Sequence, residues 1–456
     1  MIRTAFAATA ALLLAAVPAV AQNQQEVLDA RYDRALAAGY KALMLCGAIA
    51  SAERSGAGER SEASVLAYEL TGIQPPLDAI IGDLPPRITR WPEGRRPVRH
   101  VTVDWAEDMP PRIAFQRSGG GCSLAPIGTK AAEIGESAPP PPDTIKMWHT
   151  RPAGPAARVL AGAMTGAYGA KARTTAVAVS WGNDRLEWRF AEDFGPFTPQ
   201  RTWSVAKSLS ATLIGAAVQR GEVDVTASAG LGLADSDPRR AITIDQLLRM
   251  ASGRYSDTPG NRTDPLYFGG AGVEEVVLDW PLVSPPGSSF RYANNDTLAA
   301  VAAIKPTLAK HSPAILFAHI GMEEAVAETD WQGDYILSSQ VWASTRDLIR
   351  FGELYLNDGV LPSGERILPE GWVKYVTTPS GPQPPTGTFG YGAGFWLLNK
   401  EEGVPPDTFA AIGNRGQYVV IVPSRQVVIV RRGEDPAGSG FDIAAFTRDV
   451  LAALPE

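Results

Sequence analysis

The chain has only two cysteines and four histidines in 456 residues. Two cysteines exclude a disulfide-scaffold protein and a four-cysteine zinc site. The histidines, His100, His149, His311 and His319, show no HxH or HxxxH spacing, so no histidine-built metal centre is expected. An excess of positive charge is missing too. The 42 Lys and Arg stand against 49 Asp and Glu, a net charge of −7, which argues against a dedicated nucleic-acid binder. After the N-terminus, no segment stays apolar for the ~18 residues that mark a membrane span. Hydrophobic residues at 45% and charged residues at 20% are ordinary for a globular protein and exclude disorder as its main state. At ~150 residues per domain the length allows two or three domains.

The N-terminus carries the one long apolar run, Ala5 to Val20, after a positive Arg3. Ala19-Val20-Ala21 fits a small-x-small cleavage pattern, leaving Gln22 first. The run falls short of the ~20 residues of a span. A cleaved leader over residues 1–21 is therefore expected in preference to an anchor. The product would be periplasmic or secreted, with no stable membrane span after cleavage. An oxidising compartment makes Cys46 and Cys122 a candidate disulfide; two separate buried thiols are the alternative. Neither has an activating base beside it in sequence, so a catalytic thiol is not expected.

Composition shifts at four consecutive prolines, residues 139–142, which form a stiff connector. Residues 22–138 open with an Ala-rich helix around Gln25 to Met44 and continue Pro-, Gly- and Arg-rich, with strand-like Val98–Val103 and Arg112–Phe115. They read as an N-terminal accessory region. Residues 143–456 suffice for one large α/β (α+β) domain. Its β-rich pieces lie at its two ends. Thr174–Ser180 turns at Gly182-Asn183-Asp184 and returns as Leu186–Phe190. Tyr418–Val422 and Gln426–Val430 flank Pro423-Ser424-Arg425, and a helix Phe441–Leu454 follows. The expectation is one antiparallel sheet built from both ends, with a mostly helical block over residues 200–380 between them.

Three boxes carry chemistry. In Ser204-Val205-Ala206-Lys207 the apolar spacing beyond, at Leu209, Leu213 and Ile214, predicts a helix ending near Gly221. Residues i and i+3 share a helix face, so Ser204 and Lys207 point together at its N-terminus. There the dipole favours developing negative charge, and a desolvated lysine can act as base. A Ser cap followed by a surface Lys would look the same. The second box, Tyr292-Ala293-Asn294, lies in a loop after Pro286-Gly287. A Tyr beside an ammonium can titrate below its usual ~10 and accept a proton, and Asn294 offers an amide. The third, Asn414-Arg415-Gly416-Gln417, leads into a strand where a glycine allows close approach to the backbone.

In order and spacing these boxes resemble the serine β-lactamase and penicillin-binding-protein superfamily, most closely its class C-like branch of esterases, D-amino-acid peptidases and 6-aminohexanoate-dimer hydrolases. TPQRTWSVAKSLSATLIG is similar to its nucleophile helix, and ITIDQLLRMASG, ending at Gly253, to its LLxMxSG segment. GYGAGFW, Gly390 to Trp396, and SSQVWASTRDLIRFGELYLNDG are similar to its later elements. The resemblance implies Ser204 as nucleophile, Lys207 and Tyr292 as general base and acid in either assignment, and Asn294 as a substrate contact. It implies an oxyanion hole from the Ser204 and Gln417 backbone N–H groups, and an acyl-enzyme released by water, with no metal or cofactor. Asn414, Arg415 and Gly416 would meet the substrate, and Trp331 could line the pocket mouth. One departure matters. The third box of the family usually begins with Lys or His, which holds a substrate carboxylate. Here a neutral Asn414 takes that place, and Arg415 points to the opposite face if the box is extended. A secreted hydrolase acting on a small ester or amide is therefore expected; the alternatives are a β-lactamase or D-amino-acid peptidase, or a penicillin-binding sensor with slow turnover.

Overall fold

A computed structural model describes residues 5–56, 60–92, 98–135, 154–182, 185–256 and 263–455, without the side chains of residues 5–22. The proline connector, and Asn183 and Asp184 of the expected turn, lie outside the described residues.

The chain opens with one helix, Ala5–Ser55, longer than the expected Gln25 to Met44. Alanine carries the highest helix propensity, and no proline or cap interrupts Asn23–Ser55. The expected cleavage site falls within this helix. Asn23–Ser55 is long and apolar enough to cross a membrane, but 94% of its apolar window is buried within the protein. It is the core helix of the N-terminal region. Gly39 and Gly47 let it approach closely: a Cβ on them would stand 2.4 Å from Phe268 O and 2.6 Å from the Trp342 ring. Strands β1 (Pro86–Arg90), β2 (Val98–Val103), β3 (Arg112–Gln116) and β4 (Cys122–Leu124) form an antiparallel meander against it. Cys46 and Cys122 are joined, with Cα atoms 6.0 Å apart. Arg112 ties the region to the rest of the chain, donating to the carbonyls of Ala35, Phe268 and Gly269. One apolar cluster runs from Ala35–Ile49 to Leu209, Leu337 and Trp342.

The main sheet draws on both ends of the following domain, as expected. β5 (Thr174–Trp181) and β6 (Arg185–Phe190) form its first hairpin. β7 (Gln200–Arg201), β8 (Val326–Ala327) and β9 (Val341–Ala343) form a small separate sheet, ordered β7-β9-β8, inside the block expected to be mostly helical. β10 (Gly390–Tyr391), β11 (Trp396–Leu397), β12 (Phe409–Gly413), β13 (Gln417–Val422) and β14 (Val427–Gly433) complete the large sheet, in the order β10-β11-β12-β13-β14-β5-β6. Its neighbours are antiparallel throughout.

Both faces of this sheet are buried, which is why β13 and β14 are continuous β-branched runs rather than alternations. Side chains alternate between faces with period two. Val419, Ile421, Val428 and Val430 join the core that holds Leu209 and Phe351, while Val420, Val422, Val427 and Ile429 join Leu160, Phe446 and Val450. The Val205–Gln219 helix is thereby fixed against the inner face, where the first and third boxes meet.

Candidate active site

Ser204 is the N-terminal cap of the Val205–Gln219 helix and Lys207 lies in its first turn. The turn is shaped by Trp203, whose φ of +51° is rare for a large residue and costs on the order of 1–3 kcal/mol. Packing holds it there: the Arg201 guanidinium lies 3.6 Å from the centre of the Trp203 ring, and Thr202 N donates to Val341 O at 2.8 Å. Ser204 stays half-exposed, whereas Lys207 is only 2% exposed.

Two boxes distant in sequence converge on this turn. The Tyr292 side chain lies beside Ser204 and Trp396, which draw its pKa down against desolvation. Its ring packs among aromatics, 5.2 Å from Trp396 and 6.0 Å from Tyr391. Lys207 Nζ lies 5.1 Å from the centroid of the Tyr292 ring. It donates to Asn294 Oδ1 and, at 3.4 Å, to Ser338 O. Desolvation drives the two groups apart. It pulls Lys207 down to about 7, against the opposing pull of the Asp296 carboxylate, and pushes Tyr292 up to about 12. The expectation that Tyr292 titrates below its usual value is corrected. Its neighbour Lys207 is itself held near neutrality, so no fixed ammonium stabilises a phenolate.

Asn294 is placed differently from its expected substrate contact. While its Oδ1 meets Lys207, its Nδ2 donates to Thr263 Oγ1 at 2.8 Å and Tyr267 Oη at 2.9 Å. Its amide holds the lysine in place. Asp296, two residues further along the Asn294–Ala303 helix, accepts from Ser252 Oγ at 2.7 Å and pairs with Arg254 at 3.1 Å. Thr263, Tyr267, Ser338 and Asp296 form this support, and sequence reading did not find them. Their contacts join positions 27 to 131 residues apart, which no local pattern marks.

The third box meets the nucleophile through Gly413, one residue before Asn414. Gly413, the last residue of β12, touches the nucleophile: a Cβ there would stand 3.0 Å from Ser204 N and 2.4 Å from Thr202 O. Gln417 sits across the hairpin, paired with Gly413, and its side chain reaches Gly433 O and Arg432 Nε. The expected Gln417 donor is thus displaced from Ser204 by Gly413. β11 covers β12 only at Phe409 and Ala410, so the far edge of β12 is open beyond them.

Arg415 points away from the substrate side. Nε pairs with Glu434 at 2.7 Å, and its terminal nitrogens donate to the carbonyls of Tyr68, Thr71 and Gly72. At 7% exposure it is a buried tie between the hairpin and the N-terminal region. Gly416 packs against the Arg431–Asp435 pair, its carbonyl accepting from Arg431 Nη1 at 2.9 Å. Neither Arg415 nor Gly416 meets a substrate from these positions, while Asn414 is exposed beside Gly413. Trp331 is 38% exposed, in a turn organised by Asp330, which accepts from the amides of Gln332, Gly333 and Asp334.

The arrangement suits acyl transfer. A half-exposed hydroxyl lies beside a phenol that desolvation keeps protonated, a buried amine drawn to about 7 shares its helix turn, and the Ser204 amide faces an open strand edge. Among the described residues no group of three or more His, Cys, Asp or Glu could hold a metal ion.

The profile of the Beta-lactamase family matches residues 163–452. No curated protein matches the chain. Among solved structures, a putative 6-aminohexanoate-dimer hydrolase from Bacillus anthracis is similar at 23% identity and a TM-score of 0.52, over 64% of this chain and 82% of its own. A putative beta-lactamase from Bacteroides dorei DSM 17855 is similar at 20% identity and a TM-score of 0.51, over 65% of this chain and 97% of its own. At these identities the likeness is one of fold.

Proposed function

The chain belongs to the Beta-lactamase family, and from that premise we propose that it is a serine hydrolase cleaving a small ester or amide through an acyl-enzyme on Ser204. The observation that carries this reading is the convergence of Tyr292 on the Ser204–Lys207 turn, with the buried Lys207 Nζ 5.1 Å from the centroid of the Tyr292 ring and its pKa drawn to about 7. Lys207 in its neutral form takes the Ser204 proton, directly or across the Tyr292 hydroxyl. Ser204 Oγ attacks the carbonyl. Tyr292, protonated at neutral pH, gives a proton to the leaving group and is reprotonated from Lys207. Water then enters, is deprotonated by the same pair, and releases the acid.

The oxyanion would be held by the Ser204 N–H and by an N–H of the open edge of β12. Successive residues of an antiparallel strand direct their N–H groups to opposite edges. Since Gly413 faces Gln417, the donor toward the site is Asn414 N–H. The ester or amide preference rests on charge. The one arginine of the third box is consumed by Glu434 and three carbonyls, which leaves it no group for a substrate carboxylate. The apolar N-terminus and the Cys46–Cys122 bridge support export to an oxidising compartment.

The test is hydrolysis of p-nitrophenyl acetate and butyrate beside nitrocefin, wild type against Ser204→Ala. Ester turnover exceeding nitrocefin turnover, both lost in the variant, is the expected result. Rapid nitrocefin turnover would move the β-lactamase reading to first place. Ester turnover that survives in Ser204→Ala would remove the nucleophile assignment.

A further inference from the structure

The residues before the family match include part of the wall beside the nucleophile. A cavity of about 220 Å³ lies against Trp203, Gly413 and Asn414. Its opposite wall comes from two stretches: Ile73 and Gln74 of the N-terminal region, and the loop Pro436–Gly440 after β14. The two stretches are stitched together. Ala437 N donates to Gly72 O at 2.8 Å, and a Cβ on Gly72 would stand 2.8 Å from Pro436. Arg415 and Arg173 fix the same stretch from behind, taking the carbonyls of Ala67, Tyr68, Thr71 and Gly72. This wall is built into the fold.

We infer that this cavity is the subsite for the acyl part of the substrate, and that it selects an uncharged, hydrogen-bonding acyl group. The side is set by Tyr292. A leaving group must stay within reach of the Tyr292 hydroxyl, which takes no part in lining this cavity. The remaining part of the substrate, the acyl chain, extends along β12 toward Asn414. The chemistry is set by the walls. Both charged residues lining the cavity are neutralised within the fold, Arg415 by Glu434 at 2.7 Å and Asp435 by Arg431 at 2.8 Å. What remains for a ligand includes the Gln74 amide, the Asn414 amide, whose Oδ1 already accepts from Arg415 N–H at 2.9 Å, the Tyr418 hydroxyl, and the Ser439 hydroxyl, which itself donates to Pro436 O at 2.7 Å. Such a pocket solvates an amide or hydroxyl well and a carboxylate poorly. The N-terminal region thereby becomes a specificity element of the hydrolase.

The inference rests on the serine-hydrolase reading, and the experiment separates the two. The full-length protein is assayed with p-nitrophenyl acetate, the p-nitrophenyl ester of N-acetylglycine, and mono-p-nitrophenyl succinate. If no ester is turned over in a Ser204-dependent way, the hydrolase reading fails first. If acetate is turned over, the N-acetylglycine ester should exceed the succinate by ~10-fold or more in kcat/KM, the succinate being the charged match in size. Gln74→Ala should lower the ratio of N-acetylglycine ester to acetate about fivefold, the worth of one hydrogen bond. Ala437→Phe, which fills the cavity from an exposed position, should lower the same ratio further. Thermal unfolding of each variant checks that it folds. A preference for the succinate, or a ratio unmoved in both folded variants, would overturn the inference.

Discussion

Lys207 and Tyr292 lie with the lysine nitrogen 5.1 Å from the tyrosine ring centroid, and the same desolvation moves them in opposite directions, to about 7 and about 12. At neutral pH the pair therefore offers an amine able to lose its proton and a phenol that keeps its own. In the proposed mechanism this order of pKa values favours Lys207 as the base and Tyr292 as the acid, a choice the sequence leaves open.

That order predicts a pH profile. Below about 7 Lys207 is an ammonium and cannot take the Ser204 proton, so kcat/KM should rise through that pH and then level off. Loss of the Tyr292 proton would lower activity only near 12. A bell falling near pH 8 would contradict the assignment.

Asp296 tunes the lysine without touching it. Its carboxylate raises the Lys207 pKa against desolvation. Asp296→Asn should shift the acidic limb of the profile to lower pH. The same change leaves Arg254, buried and paired at 3.1 Å, without its partner, so thermal unfolding should also occur at lower temperature.

Removing the acid and the base separately gives a further check. Tyr292→Phe and Lys207→Ala should each lower kcat by roughly 10² or more. In Tyr292→Phe the loss should be smaller for p-nitrophenyl esters, whose leaving group needs little protonation, than for amides. Equal losses on both substrates would remove the acid role.

Gly413 tests the oxyanion geometry. A methyl group there would stand 2.4 Å from Thr202 O and 3.0 Å from Ser204 N, so β12 or the nucleophile turn must shift. Gly413→Ala should lower kcat by ~10²-fold, the scale of losing one oxyanion donor. Gln417→Ala, across the hairpin, should leave the oxyanion geometry to Ser204 and Asn414 and alter stability more than kcat.

Arg415 should matter for stability. Arg415→Ala leaves Glu434 buried at 1% side-chain exposure without its cation, and breaking such a pair costs ~3–5 kcal/mol. Denaturant unfolding should register that loss. A change confined to KM with stability intact would restore Arg415 as a substrate contact.

The sequence by itself determined the nucleophile turn and the sheet. Ser204 and Lys207 share a face because three residues nearly complete a helical turn, and the continuous Val and Ile runs at 418–430 demand a sheet covered on both sides. Two cysteines allow one pairing only, and the structure joins them where the sequence left two separate thiols open. The tertiary structure decided what touches what. Asn294 turns inward because Thr263 and Tyr267, on a distant loop, take its amide. Arg415 turns away from the site because Glu434 and the carbonyls of residues 68–72 are there to meet it. Gly413, where Gln417 was expected, meets the Ser204 backbone because a hairpin register, fixed by five paired residues of β12 and β13, sets which backbone reaches the helix. The pKa values of Lys207 and Tyr292 also arise only there. Desolvation depends on how completely the chain closes around a group, and no spacing in the sequence encodes that.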